Sequence, residues 1–134
     1  MTLLIVLDTN ILLLVSEGKF NLTTEVERLV PQKHEMVYLS ACLTELDYLA
    51  RKPRMIRKVQ FARKLLETVR IIDYDPNDEI TIDEKILRYA LENRTHCMVV
   101  TNDIELKNLL LNNKIPVLFI RSKNHLELVG TIQN

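Results

Sequence analysis

Leu3-Leu4-Ile5-Val6-Leu7-Asp8-Thr9-Asn10-Ile11-Leu12-Leu13-Leu14-Val15 decides the fold, because an apolar run of strand length ends in an acid before a second apolar run begins. A secretory leader would want a basic start and an unbroken apolar middle, and a membrane span about 20 apolar residues. Asp8 breaks both patterns, so the stretch reads as a short buried strand followed by a helix, in a soluble, cytoplasmic protein. Working outward, residues 36–39, 69–74, 98–101 and 117–120 are apolar runs of the same kind, separated by longer segments of helical period. Such alternation is the pattern of a parallel sheet wrapped by helices. Five strands and about six helices fit. Helix starts are signposted by capping-box spacings or close relatives of them at Thr24 with Glu27, Thr81 with Glu84 and Asn102 with Glu105. After Pro53, Met55, Val59, Ala62 and Leu66 form one stripe of a helix, with its Arg and Lys residues outside it. No repeat or linker interrupts the chain, so residues 1–134 are expected to be one domain, with 121–134 a loosely held tail.

Leu, Ile, Val and Phe make up 49 of the 134 residues, enough for a sizeable core. The only glycines, Gly18 and Gly130, stand alone, so neither a Walker phosphate loop nor a dinucleotide-binding glycine fingerprint can be written in this chain. Cys42 and Cys97, with the scattered His34, His96 and His125, make no zinc-site spacing. The cysteines read as small core residues and the histidines as surface. The 18 basic and 18 acidic side chains cancel, which gives no overall attraction to nucleic acid, but they are unevenly placed. Residues 51–70 hold eight bases and only Glu67 as an acid, whereas 71–92 hold seven acids against Lys85 and Arg88.

In an open parallel sheet the site lies beyond the carboxyl ends of the strands. Asp8 ends the first strand, Asp103 follows the fourth, and Asp83 falls in the first turn of the helix starting near Thr81. Each alone is ordinary helix grammar, a cap or a first-turn acid. In the helix after Ser40, Glu45 borders the buried stripe of Leu46 and Ala50 from one side and Asp47 borders it from the other, and periodicity does not choose between them. Together the acids say more. Carboxylates converging at one end of a sheet repel each other unless a cation neutralises them, and an all-oxygen set suits Mg²⁺ or Mn²⁺. That points to metal-assisted hydrolysis of a phosphodiester.

Val6-Leu7-Asp8-Thr9-Asn10-Ile11-Leu12-Leu13, the Thr44-Glu45-Leu46 step, Asp83 followed by Ile86 and Ala90, and Thr101-Asn102-Asp103 with Leu106 resemble the four motifs of the PIN-domain nucleases. Order and spacing agree over nearly the whole chain. Asn102-Asp103-Ile104-Glu105-Leu106-Lys107, Ile115-Pro116-Val117-Leu118-Phe119-Ile120 and Leu126-Glu127-Leu128-Val129-Gly130 are most similar to archaeal relatives of the ribosomal-RNA-cleaving PIN nucleases of the eukaryotic small-subunit processome. The VapC toxins are a larger, more distant branch. The resemblance implies a three-layer α/β/α sandwich around a five-stranded, mainly parallel sheet, dependence on Mg²⁺ or Mn²⁺, and endonucleolytic cleavage of single-stranded or structured RNA. Carried over by motif, Asp8, Glu45, Asp83 and Asp103 are the catalytic and metal-holding acids. Thr101 supports them by holding a metal-bound water or orienting Asp103, Asn10 braces the loop after the first strand, and Glu84 is an outer ligand. The implied partners are RNA, a second copy of the chain, and an antitoxin or a ribosome-assembly factor. Where the eukaryotic branch has a basic run after its last motif, this chain has Asn108, Asn112 and Asn113 with only Lys107 and Lys114.

An anionic site needs a cationic rim to draw RNA in. Arg51, Lys52, Arg54, Arg57 and Lys58 are the candidates, with Arg121 and Lys123 a second group. The aromatics sit mostly at core spacing, with no stacking platform for bases. Two rival readings are a PIN-like module that holds RNA without cutting, which has no use for clustered acids, and a phosphoacceptor receiver domain. A receiver would have an acidic pair after the first strand and a Lys after the fifth, where this chain has a single Asp and Arg121.

Overall fold

The computed structural model describes residues 1–18, 20–122 and 124–132. Its elements run β1 (Leu3–Leu7), α1 (Thr9–Val15), α2 (Leu22–Leu29), β2 (His34–Leu39), α3 (Ser40–Leu49), a 3₁₀ turn (Pro53–Met55), α4 (Ile56–Leu66), β3 (Arg70–Ile72), α5 (Ile82–Glu92), β4 (Cys97–Thr101), α6 (Ile104–Asn112), β5 (Val117–Ser122) and β6 (His125–Val129). The sheet order is β3-β2-β1-β4-β5-β6, parallel throughout except for the last pair. β1 lies between β2 and β4, with Ile5 level with Met36 on one side and Met98 on the other. Both β1 and β4 are almost wholly buried, as a strand covered on both faces must be. Right-handed crossovers place the α1–α2 and α3–α4 connections on one face and α5 and α6 on the other. α1 packs on α4, α5 on α6, and α3 reaches α5. Among the described residues no helix is long and apolar enough to cross a membrane.

The expected five strands become six. Residues 125–129, placed in a loose tail, form an antiparallel edge strand held by α2. Glu25 on α2 accepts the Leu126 backbone N–H at 2.8 Å and Arg28 donates to the Leu126 carbonyl at 2.9 Å. At the strand's end Gly130 adopts φ +88°, and a Cβ there would stand 3.2 Å from the Pro116 Cα. Only glycine fits. The polar grammar of α2 hid its start as well: Asn21, not Thr24, is the cap, accepting from the Thr24 N–H. α6 is capped by Asp103, one residue beyond the expected Asn102. Thr81 caps α5 as expected, through the Glu84 N–H.

Candidate active site

Four of the elements end at, or lie across, the carboxyl edge of the sheet, and each brings one of the expected acids there. Asp8 follows β1 and occupies the N-cap position of α1 in extended conformation, yet its carboxylate makes no cap hydrogen bond. It is only 5% exposed, and its Oδ2 accepts instead from the Thr101 hydroxyl at 2.7 Å, at the end of β4. The Thr101 oxygen in turn accepts the Asp103 N–H at 3.0 Å, so one buried hydroxyl ties the first strand's acid to the fourth strand's loop. Asp103 does cap its helix: Oδ1 accepts from the Glu105 and Leu106 N–H groups. Its second oxygen makes no hydrogen bond among the described residues.

Glu45 and Asp47, which helix period could not separate, differ in the fold. Asp47 is exposed and bonded to Arg63 at 2.7 Å. Glu45 is half-buried, and its Oε1 is shut off from solvent with no hydrogen-bond partner among the described residues. A buried acceptor without a donor costs free energy unless something else satisfies it. Asp83, in the first turn of α5, is also half-buried. The four charges are close enough to feel one another. Burial, reinforced by Glu45, Asp83 and Asp103, pushes Asp8 up to about 7 against the opposing hydrogen bond from Thr101. Asp83 is raised by burial, then by Asp103, Glu45 and Glu105.

The supporting residues divide. Thr101 orients Asp8 rather than the Asp103 carboxylate. Asn10 is exposed and makes no side-chain hydrogen bond among the described residues, because the first turn of α1 turns it outward. The loop is braced by its neighbour Thr9, whose buried hydroxyl donates to Tyr38 Oη at 2.6 Å while Tyr38 donates to the Cys42 carbonyl at 3.0 Å. Glu84 is exposed, and its backbone N–H rather than its carboxylate is engaged, by the Thr81 cap. Sequence reading overlooked Lys85, which is buried and paired with Asp75. An isolated Lys in an acidic stretch carries no pattern. It ties the loop before α5 to the helix that carries Asp83.

The donor set suits a hard cation: all-oxygen, partly desolvated, and holding one carboxylate oxygen with nothing to satisfy it. Among the described residues no three acids, histidines or thiols already stand at ligand spacing. Mg²⁺ reaches many of its ligands through water, so its acids need not all stand at direct ligand spacing.

Of the basic candidates, Arg51, Arg54 and Arg57 are exposed and make no ion pair among the described residues. Lys58 is paired with Glu17, and Lys52 lies over the Tyr48 ring, 5.2 Å from its centroid. Arg121 is paired with Glu127 across the β5–β6 hairpin, and Lys123 lies outside the described residues.

Residues 5–123 match the family described as PIN-like domain. Ribonuclease VapC4 of Methanocaldococcus jannaschii is 38% identical over 132 residues, covering 96% of this chain and 98% of that one. Among solved structures, the PIN domain endonuclease Utp24 superposes with a TM-score of 0.75 at 18% identity, over 97% of this chain and 93% of that one. A domain of functionally unknown protein from M. jannaschii gives 0.65 at 19% identity, over 99% and 100%. VapBC2 of Rickettsia felis, bound to a promoter DNA fragment, gives 0.55 at 19% identity, over 87% and 98%. The α/β sheet with its acidic carboxyl edge, the family match over most of the chain and the near full-length relative agree: the chain belongs to the PIN-like domain family.

Proposed function

We propose that this protein is a divalent-cation-dependent endoribonuclease that hydrolyses RNA phosphodiester bonds, with Asp8, Glu45, Asp83 and Asp103 as its catalytic and metal-holding acids, acting in RNA processing. The observation that carries the reading is the unbalanced negative centre: a buried Asp8 pushed up to about 7 beside a half-buried Glu45 whose inner oxygen has no partner. A fold keeps such a centre at a cost, and a cation removes the cost. The curated relative's name, a ribonuclease, supports the choice of RNA.

Mg²⁺ or Mn²⁺, when bound, lowers the pKa of a water and stabilises the leaving oxygen. The chain's own residues set the rest. Thr101 fixes the Asp8 carboxylate by donating to Oδ2, which favours its ionised, ligating form. The cap bonds hold the Asp103 Oδ1, so Oδ2 is the oxygen free to ligate. Glu45 supplies an oxygen already stripped of water. Arg51, Arg54 and Arg57, which make no ion pair among the described residues, would draw the phosphate backbone toward the acids.

The test is cleavage of a labelled RNA by Asp8→Asn and Asp103→Asn variants with Mn²⁺. Both should be inactive while still folding cooperatively, Asp103→Asn melting close to the parent and Asp8→Asn no lower than it. Cleavage at the parent's rate would discard the assignment of the site. A second reading, a toxin ribonuclease paired with a small antitoxin, is favoured by the VapC name of the full-length relative. Co-purification of a small protein encoded beside this one, with inhibition of cleavage when it is added back, would establish it.

A further inference from the structure

We infer that Tyr48 is a stacking platform for an RNA base next to the scissile phosphate, an inference that rests on the nuclease reading of the acidic site. The aromatics are not all in the core: Tyr48 is 58% exposed on α3. It lies three residues beyond Glu45, and side chains three apart on a helix are surface neighbours, about 5–6 Å between Cβ atoms. Its ring therefore stands beside the acid whose inner oxygen has no partner. The hydroxyl makes no hydrogen bond among the described residues, and the Lys52 ammonium lies 5.2 Å from the ring centroid. Arg51 and Arg54, exposed and without ion pairs among the described residues, follow directly in the chain. The order along the chain is thus acid, ring, cations, with the Lys52 ammonium at the ring itself. A strand of RNA presents its own groups in the same order: a phosphate at the acids, a base over the ring, and the following phosphates at Lys52, Arg51 and Arg54. Proteins that take single-stranded RNA combine such rings with basic grooves, since every base has a π-face. Ile104, the residue after Asp103 and 61% exposed, adds a second uncovered apolar side chain next to the acids.

The experiment uses single-stranded RNA carrying 2-aminopurine at successive positions, titrated in Mn²⁺ into the Asp8→Asn protein so that the strand stays intact. One position should be quenched on binding. Tyr48→Ala should abolish that quenching and weaken binding about tenfold, with Tyr48→Phe close to the parent. Because stacking releases no counterions, the slope of log affinity against log salt should stay unchanged in Tyr48→Ala, whereas Lys52→Ala should lower it by about one. An abasic nucleotide at the quenched position should make Tyr48→Ala silent. Equal affinity of Tyr48→Ala and parent, or an equal loss on abasic RNA, overturns the inference. So does a Tyr48→Ala variant that binds RNA normally but loses self-association, which would assign the ring to a protein interface. If the protein with Asp8 intact cleaves RNA while Tyr48→Ala binds unchanged, only the platform falls. A parent that neither binds nor cleaves RNA removes both.

Discussion

Asp8 and Asp103 look alike in the sequence, each an acid between a strand and a helix, and the fold uses them differently. Asp103 spends one oxygen on its helix, whereas Asp8 spends none and is gripped by Thr101. The difference predicts distinct variants. Asp103→Asn retains a good cap and should melt like the parent, while Asp103→Ala should lose about 1 kcal/mol of stability; both should be inactive. Paired thermal melts and cleavage assays check this. Thr101→Val removes the hydrogen bond that lowers the Asp8 pKa, so Asp8 should ionise at higher pH. The pH at which cleavage is half-maximal should move up, and an unmoved profile would show that Asp8 ionisation does not limit the reaction. At this scale the placement of Asp8, Asp83 and Asp103 near one another was legible because strand ends and a helix start mark them. What distinguishes Glu45 from Asp47 was not, since it depends on how α3 packs against both α4 and α5, and no local period encodes packing partners.

Elements were most readable where the chain is apolar on both faces, as in β1 and β4, and least where polar residues carry the structure. Residues 125–129 alternate His, Leu, Glu, Leu, Val, a half-exposed edge strand, and what secures it is a charge on a helix about a hundred residues earlier. Glu25→Ala would leave the Leu126 N–H without its acceptor and Arg28 without its main partner. The expected cost is roughly 1 to 3 kcal/mol, with faster amide exchange confined to β6 and its pairing with β5. Uniform exchange along the chain would mean that β6 does not open separately. The basic segment gives the parallel case for binding. Arg54 and Arg57, at the 3₁₀ turn and the start of α4, have no acid to pair with among the described residues, so removing both should weaken RNA binding and lower the salt slope by about two. Arg63→Ala, which breaks only the pair with Asp47, should leave that slope unchanged.

For the whole molecule, a net charge of zero conceals two acids that respond to pH in opposite directions. Glu25, bonded to Arg28, is held down at about 2 from 4.5, so its contribution to stability is complete above about 4.5 and is lost as pH falls toward 2. Asp8, raised from 3.8 to about 7 by burial and its neighbours, works the other way. The native state keeps its proton where the unfolded chain has lost it, so stability present below about 4 is lost as pH rises through 7. The metal-free protein should therefore be most stable near pH 4 to 5 and melt lower at pH 8. Asp8→Asn, which removes the ionisation and keeps an acceptor for Thr101, should flatten the decline above pH 5 and leave the acid limb intact. Mn²⁺ binds ionised carboxylates, so added metal should raise the parent's melting temperature at pH 8 far more than at pH 5, and should not rescue Asp8→Asn equally. A hundredfold excess over the dissociation constant corresponds to about 2.7 kcal/mol, ample for a thermal scan. Metal stabilisation that is equal at both pH values, or equal in the variant, would place the cation away from Asp8.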